Sequence, residues 1–247
     1  MSRIPSRFNP KIISPRLFDI IDMLPEEIRE MLYWCGCIWR HGGNPKSPHV
    51  VLRSGLCSDG FVECMRALRF PYVCEILAIQ LAKKLNDEGI KRLDFVVGAP
   101  IGGMTFANEV AKAFSAEFVF MEKDPRDRTG RKMLWRGDTL PRGAIGLRVD
   151  DVLTSGGSVR EMKTVLDRDN REPIDLIPVV GVIVHRPPIL PVSYDGFEVV
   201  SLLEIPGIKT FKPAECPLCR AGSSRLSPKR NWQQLITGTK KKRGVRR

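Results

Sequence analysis

Apolar segments of strand length alternate with segments of helical periodicity through the middle of the chain. The strand segments are LDFVVGAP at 93–100, EFVFME at 117–122, AIGLRV at 144–149 and IDLIPVVGVIV at 174–184. Helical patterns lie between or before them at 72–89, 104–114 and 159–169. Strands that are apolar on both faces and are joined by helices are typical of parallel sheets covered on both sides. The sequence therefore predicts an α/β fold.

Size and composition narrow the class of protein. At 247 residues, of which 43% are hydrophobic, the chain is long enough for one substantial core. The longest apolar run, LIPVVGVIV, is bounded by Asp175 and His185 and is too short for a membrane span. The first twenty residues lack the apolar core of a secretory signal. Seven cysteines without regular spacing indicate a reducing compartment, so we expect a cytoplasmic protein that does not enter a membrane.

The net charge of +12 is unevenly distributed, because the last eight residues, KKKRGVRR, contain six basic side chains. We expect this tail to be disordered and solubilising, with nucleic-acid binding as the alternative. Three parts are expected along the chain: a helical or hood segment at 1–45, a core at 46–212, and an extension at 213–247 that ends in the tail.

One predicted strand runs into a motif with direct chemical consequences, VDDVLTSGGS at 149–158. The strand delivers Asp150 and Asp151 to the carboxyl edge of the sheet, where ligands of open α/β sheets bind. A loop then precedes a helix, so its backbone N–H groups and hydroxyls favour an anion. The loop residues are Thr154, Ser155, Gly156, Gly157 and Ser158. Carboxylates bind hydroxyl groups or a metal rather than phosphate, so the motif predicts a phosphorylated sugar with Mg²⁺. The alternative is a glycine-rich turn that caps an ordinary helix, with both aspartates solvated.

This motif resembles the phosphoribosyl pyrophosphate (PRPP) motif of the type I phosphoribosyltransferases. The resemblance implies a parallel sheet with helices on both faces, a small hood, and a homodimer. It also implies that Asp150 and Asp151 hold the ribose hydroxyls and contact Mg²⁺ through PRPP, while residues 154–158 hold the 5′-phosphate.

Three further features resemble the orotate branch of that family. The segment VLRSGLCSDGF at 51–61 places Arg53 and Phe61 where the branch contacts its base, and Arg160 matches an arginine that some orotate enzymes use on the base. The segment VVGAPIGGMTFA at 96–107 resembles the pyrophosphate loop, with Gly98, Ala99, Pro100, Gly102 and Gly103 as its members. Orotate is a planar anion, which an aromatic face and guanidinium groups suit. Either arginine taken alone would instead be assigned to a surface ion pair.

The polar stretch at 123–143 is longer than an ordinary loop, and such loops are usually functional or disordered. Its beginning, EKDPRDRTG at 122–130, resembles the mobile loop of the family. The resemblance implies that Lys123, Arg126 and Arg128 stabilise charge on pyrophosphate. Glu122 replaces an arginine of the family pattern and Arg128 replaces a histidine. Arginine does not release its proton near neutral pH, so no acid–base role is expected there. A merely basic, flexible loop is the alternative.

These features together predict an enzyme that transfers phosphoribosyl from PRPP to orotate and releases pyrophosphate. Two alternatives remain. One is a phosphoribosyltransferase for another base, and the other is a PRPP-sensing or nucleic-acid-binding regulator with little catalysis.

The C-terminal region has features that this function does not use. Cys216 and Cys219 form a lone CxxC, which is half of a four-ligand zinc site, and the CGC at 35–37 would have to supply the rest. We expect reduced structural or tail cysteines here, with a metal site as the alternative, and His41, His49 and His185 show no ligand spacing. The segment SPKRNWQQL at 227–235 is expected to dock through Trp232 and Leu235.

Overall fold

The computed structural model describes residues 22–187, 190 and 192–239, so the basic tail and residues 1–21 lie outside it. The described chain forms two compact units. The first comprises residues 22–35 and 64–206, and the second comprises residues 36–63 and 207–239.

The elements follow in chain order as α1 (Pro25–Trp34), β1 (Ile38–Arg40), β2 (His49–Val51), β3 (Cys57–Ser58), β4 (Gly60–Val62), α2 (Met65–Leu68), α3 (Pro71–Asp87), β5 (Phe95–Gly98), α4 (Gly102–Phe114), β6 (Glu117–Phe120), β7 (Glu122–Lys123), β8 (Met133–Leu134), β9 (Ile145–Leu153), α5 (Gly157–Asp169), β10 (Asp175–His185), β11 (Glu198–Glu204), β12 (Thr210–Phe211), α6 (Pro217–Arg220), β13 (Arg225–Leu226) and α7 (Pro228–Thr239). A turn of 3₁₀ helix, Pro213–Glu215, precedes α6.

The first unit is built on a five-stranded sheet with the order β11-β10-β9-β5-β6, in which every neighbouring pair is parallel. Helix α5 packs on one face, where Val159 and Met162 join the cluster that contains Val97 and Val182. Helix α3 covers the other face, where a β-carbon at Gly181 would lie 2.9 Å from Leu81. The predicted fold class, a parallel sheet with helices on both faces, is confirmed.

The order of the strands reverses direction once, between β5 and β9. From β5 the chain moves to β6 on one side, and from β9 it moves through β10 to β11 on the other. In open parallel sheets such a switch point opens a crevice at the carboxyl ends of the strands, and ligands bind there. The predicted strand at 144–149 is longer in the structure, because β9 continues through both acids to Leu153.

The second unit brings together two segments that are distant in sequence. Strands β12, β3, β2 and β13 form one sheet in that order, and β1 pairs antiparallel with β4. Helix α7 buries Trp232 and Leu235 against Trp39 and Val50, which confirms the predicted docking of this segment. The division differs from the boundaries expected from sequence, because residues 207–239 supply strands and a helix to the unit that contains residues 36–63.

The polar stretch at 123–143 is partly ordered as a hairpin in which β7 and β8 pair antiparallel. Asp127 organises its turn by accepting hydrogen bonds from the backbone N–H groups of Thr129, Arg131 and Lys132 at 2.9, 2.7 and 2.7 Å. These donors hold the pKa of the Asp127 carboxyl well below its usual range. Among the residues that the structure describes, no helix combines the length and apolar character that crossing a bilayer requires.

Candidate active site

The two adjacent acids lie at the carboxyl end of β9, beside the switch point of the sheet. Asp150 is buried, and its Oδ2 accepts a 2.7 Å hydrogen bond from the hydroxyl of Ser158. Its Oδ1 accepts a 2.9 Å bond from the backbone N–H of Asp151. The carboxylate of Asp151 accepts a 3.0 Å bond from the N–H of Val152. The local backbone therefore fixes both carboxylates at the sheet edge.

Ionisation of both acids would place more negative charge here than the surroundings compensate. Burial, followed by the neighbouring Asp150 carboxylate, raises the pKa of Asp151 to about 8. Burial also raises the pKa of Asp150, although the hydrogen bond from the Ser158 hydroxyl acts in the opposite direction. Both groups therefore favour a ligand that brings hydroxyl donors or a cation. Their oxygens are hard ligands of the kind that Mg²⁺ prefers.

Two glycines leave the space that the carboxylates occupy. A β-carbon at Gly102 would overlap the Asp151 carboxylate, and one at Gly103 would lie 2.9 Å from Asp150 Oδ1. Gly98, at the end of β5, also has no room for a side chain, because a β-carbon there would lie 2.6 Å from the Gly103 carbonyl oxygen. The segment expected from sequence, Gly98 to Gly103, thus packs its backbone directly against the acid pair. The peptide bond between Pro100 and Ile101 is cis.

Residues 154–158, called the phosphate loop below, lead into the N-terminus of α5. Gly156 has a φ of +75°, and a β-carbon there would lie 2.8 Å from Phe197 Cζ, so two constraints require glycine. The guanidinium of Arg160 donates a 2.7 Å hydrogen bond to the carbonyl oxygen of Ser155 and lies 5.6 Å from the Phe197 ring centre. Arg160 is therefore engaged in holding the loop.

Tyr194 also supports the phosphate loop, and no sequence motif drew attention to it. Its hydroxyl donates a 2.7 Å hydrogen bond to the Thr154 carbonyl oxygen and lies 3.0 Å from Nε2 of the buried His185. Its ring stacks on Phe197 with 5.0 Å between ring centres. His185 reaches Glu204 Oε1 at 3.2 Å through its other nitrogen.

The acid pair, the loop and the hairpin line one cavity of about 870 Å³. Its lining includes Ala99, Pro100, Lys123, Asp127, Thr129, Gly130, Arg131, Lys132, Met133, Asp150, Asp151, Val152, Ser155, Gly157, Ser158 and Glu161. Burial raises the pKa of Asp150, and the nearby positive charge of Lys123 offsets only a small part of that increase. Half of the site residues that the sequence assigned in the first unit therefore line this cavity.

The hairpin presents a different set of cations from the set expected. Arg131 and Lys132 line the cavity, although the sequence analysis did not single them out. Arg126 is turned toward Asp124, to which its Nε donates a 3.0 Å hydrogen bond, and Arg128 is exposed. Sequence comparison with a loop pattern cannot show that Asp127 folds the turn back and directs the residues after Gly130 inward.

The remaining candidate residues belong to the second unit. Arg53 is exposed in the turn between β2 and β3, and Phe61 is half-buried on β4, with its ring centre 6.0 Å from that of Trp232. Cys216 and Cys219 lie beside His49 and Cys57. The sequence analysis considered the CGC at 35–37 as the source of further ligands, and this was wrong. The group contains His49 and does not contain the CGC.

The chain is similar to known proteins along most of its length. The model of the phosphoribosyl transferase domain matches residues 74–204. An orotate phosphoribosyltransferase of Thermoanaerobacter sp. is 33% identical over 83% of this chain and 97% of its own length. That of Thermus thermophilus is 34% identical over 75% of this chain and 94% of its own. The crystal structure of the orotate phosphoribosyltransferase from Aeropyrum pernix is 20% identical, covers 72% of this chain and 93% of its own, and aligns with a TM-score of 0.52.

Proposed function

We propose that this chain, which belongs to the phosphoribosyltransferase family, transfers the phosphoribosyl group of PRPP to orotate and releases pyrophosphate. The observation that carries the proposal is the pairing of Asp150 and Asp151 with the phosphate loop in one cavity at the switch point of the sheet. An anion site at a helix N-terminus beside two carboxylates suits a ligand with both a phosphate and vicinal hydroxyls.

In this proposal the phosphate loop receives the 5′-phosphate through its backbone N–H groups and the Ser155 hydroxyl, while the Ser158 hydroxyl donates its proton to Asp150. Asp150 and Asp151 accept hydrogen bonds from the ribose hydroxyls. The raised pKa of Asp151 supports this role, since new hydrogen-bond donors stabilise a carboxylate that burial and Asp150 destabilise. Arg160, which holds Ser155, acts on the loop in addition to the base contact that the resemblance implies.

Pyrophosphate would lie against the segment from Gly98 to Gly103, which packs directly against the acid pair. Mg²⁺ bound with PRPP supplies positive charge to the departing diphosphate, and Asp150 and Asp151 are the residues that would contact it. Lys123, Arg131 and Lys132 add positive charge from the hairpin. Arg126 and Arg128 keep their expected role in pyrophosphate binding as a further part of the proposal.

Positive charge develops on the ribose carbon as its bond to the pyrophosphate oxygen breaks and its bond to the base nitrogen forms. The proton that this nitrogen loses passes to the departing pyrophosphate or to water. The protein's contribution is to position both reactants and to stabilise charge, and no side chain acts as a nucleophile. Arg53 and Phe61 are proposed to contact the base. The names of the relatives favour orotate as that base. We also propose that the chain forms a homodimer, which light scattering of the purified chain would test. We propose the cytoplasm as its compartment.

The decisive experiment measures pyrophosphate release by the purified chain from PRPP and Mg²⁺. Orotate, uracil, adenine, hypoxanthine and no base are compared in parallel. Release with orotate alone supports the proposal, and release with another base identifies a different transferase. If no base supports pyrophosphate release but PRPP raises the melting temperature, the chain would be a regulator that keeps the PRPP pocket. Loss of nucleic-acid binding on deletion of residues 237–247 would then be the next test.

A further inference from the structure

A second group of reactive side chains lies in the second unit, in a part of the chain that the proposed transfer does not use. It consists of His49, Cys57, Cys216 and Cys219, whose potential ligand atoms all lie within 4.8 Å of one another. These residues belong to separate elements. His49 begins β2, Cys57 begins β3, Cys216 precedes α6 and Cys219 lies within α6. Cys57 and Cys219 are 162 positions apart in sequence.

Three of the distances between the ligand atoms are close to those of tetrahedral coordination, and the others are no longer than 4.8 Å. The sulfurs of Cys57 and Cys219 are 3.6 Å apart, and Nε2 of His49 is 3.7 Å from Cys216 Sγ and 3.5 Å from Cys219 Sγ. In a tetrahedral zinc site, with bonds of about 2.3 Å to sulfur and about 2.0 Å to nitrogen, two sulfurs lie about 3.8 Å apart and sulfur lies about 3.5 Å from nitrogen. All seven cysteines lie in the described part of the chain and none of them forms a disulfide, so no disulfide accounts for the proximity of the sulfurs.

The histidine is oriented for a metal by a chain of hydrogen bonds. Ser223 Oγ donates its proton to the Ser47 carbonyl oxygen at 2.6 Å, and it lies 2.8 Å from His49 Nδ1. Because the hydroxyl proton is already used, Nδ1 must carry the hydrogen of that second bond. Nε2 is then the unprotonated nitrogen, and its lone pair faces the sulfurs. Metal-binding histidines are commonly held in this way by a partner on the other ring nitrogen.

Burial and chemistry distinguish this group from a chance cluster. His49, Cys57 and Cys216 are 0% exposed, while Cys219 is partly exposed and offers a route for an ion to enter. Thiols are weak hydrogen-bonding groups, so three of them around one imidazole gain little from one another. Three sulfurs and a nitrogen in tetrahedral arrangement are the donor set that zinc prefers.

We infer that these four residues bind one zinc ion, which fastens β2 and β3 to the segment around α6 within the second unit. Each thiol that binds zinc gives its proton to solvent, so the ion is held by thiolates and a neutral imidazole. Four protein ligands leave no position for a substrate, and the site is therefore structural. This inference does not depend on the transfer reaction, because metal content is measured without activity.

The test is the metal content of the full chain, purified without chelators and analysed by inductively coupled plasma mass spectrometry. We expect close to one zinc per chain. Cys219→Ser and Cys57→Ser should each reduce the zinc content at least severalfold. Cys37→Ala is the matched control, since Cys37 is equally buried in the same unit but outside the group, and it should keep the zinc.

A measurement on the unmodified chain guards against variants that fail to fold. Exchange of the metal for Co²⁺ should give the intense visible absorption of a tetrahedral thiolate complex. A wild-type chain without stoichiometric zinc that also gives no such spectrum would overturn the inference. Stoichiometric iron, a disulfide between Cys57 and Cys219 in freshly purified protein, or unchanged zinc in both cysteine variants would overturn it equally.

Discussion

The carboxylate of Asp151 occupies the space that a β-carbon of residue 102 would need. No residue larger than glycine therefore fits at position 102 while Asp151 keeps its place. Gly102→Ala should displace the acid, and misplacement of a substrate-binding group by about 1 Å can cost about 100-fold in rate. We expect a loss of that size in kcat/KM for PRPP, measured by pyrophosphate release. Gly42→Ala is the control, because a β-carbon there has no atom within 4 Å, and it should retain full activity. Equal activity of the two variants would refute the close packing.

Removing the charge of Asp151 separates catalysis from stability. Asp151→Asn should abolish turnover of PRPP while the fold remains intact, as judged by circular dichroism. Full activity in this variant would refute the assignment of the acid pair.

The same variant should change the pH dependence of stability. In the folded chain the pKa of Asp151 is raised to about 8 from 3.8, so the folded state binds a proton between these values that the unfolded state has lost. The carboxyl group's contribution to stability is therefore present below about pH 4 and is lost as the pH rises to about 8. Without PRPP, Asp151→Asn should remove part of this decline and melt a few degrees above wild type at pH 8. Each kcal/mol corresponds to about 2–4 °C in a domain of this size. If the difference between the melting temperatures of the two proteins stayed constant from pH 5 to pH 8, the raised pKa would be contradicted.

The strand that ends in the acid pair could be predicted because its residues are apolar on both faces and the motif after it is local. The hairpin could not, because its turn depends on Asp127 collecting N–H groups from residues that follow it, which a comparison of aligned letters does not reveal. The sulfur and imidazole group could not be predicted either. His49 and Cys57 have no ligand spacing with the CxxC, and the two regions come together through the pairing of β12 with β3 and of β13 with β2.

The cations of the hairpin should differ in importance according to where they lie. Lys123 lines the cavity near Asp150, whereas the Arg126 guanidinium is bonded to Asp124. Lys123→Gln should lower kcat by about 100-fold, the lower end of the loss that follows removal of a group that stabilises transition-state charge. Arg126→Gln should lower it less. Lys163→Gln, which alters a surface pair with Asp167 on α5, controls for net charge and should be neutral. A larger loss for Arg126→Gln than for Lys123→Gln would show that the hairpin rearranges on binding.

Tyr194 should act on the phosphate loop through its hydroxyl alone. Tyr194→Phe keeps the ring stacked on Phe197 and removes the hydrogen bond with His185 Nε2 as well as the bond to the Thr154 carbonyl oxygen, which is worth about 0.5–1.5 kcal/mol. The KM for PRPP should rise roughly 2- to 10-fold, with little change in kcat. A purely structural role would instead lower the melting temperature and leave KM unchanged. Tyr33→Phe, at an exposed tyrosine of α1, should change neither.

Ser223 should set the affinity of the zinc site without binding the metal itself. Its hydroxyl lies between His49 Nδ1 and the Ser47 carbonyl oxygen, so Ser223→Ala leaves the imidazole free to rotate and to change its protonated nitrogen. Loss of such a partner typically weakens metal binding about 10- to 100-fold. Competition with a chromophoric chelator measures this affinity, and the zinc content before competition should remain near one per chain. Ser224→Ala is the matched control, because its backbone carbonyl, which accepts a bond from His49 N, is retained. If both variants hold zinc as tightly as wild type, Ser223 does not orient His49. If Ser223→Ala loses the metal before competition, the hydroxyl is needed to form the site, and its contribution exceeds that of an orienting partner.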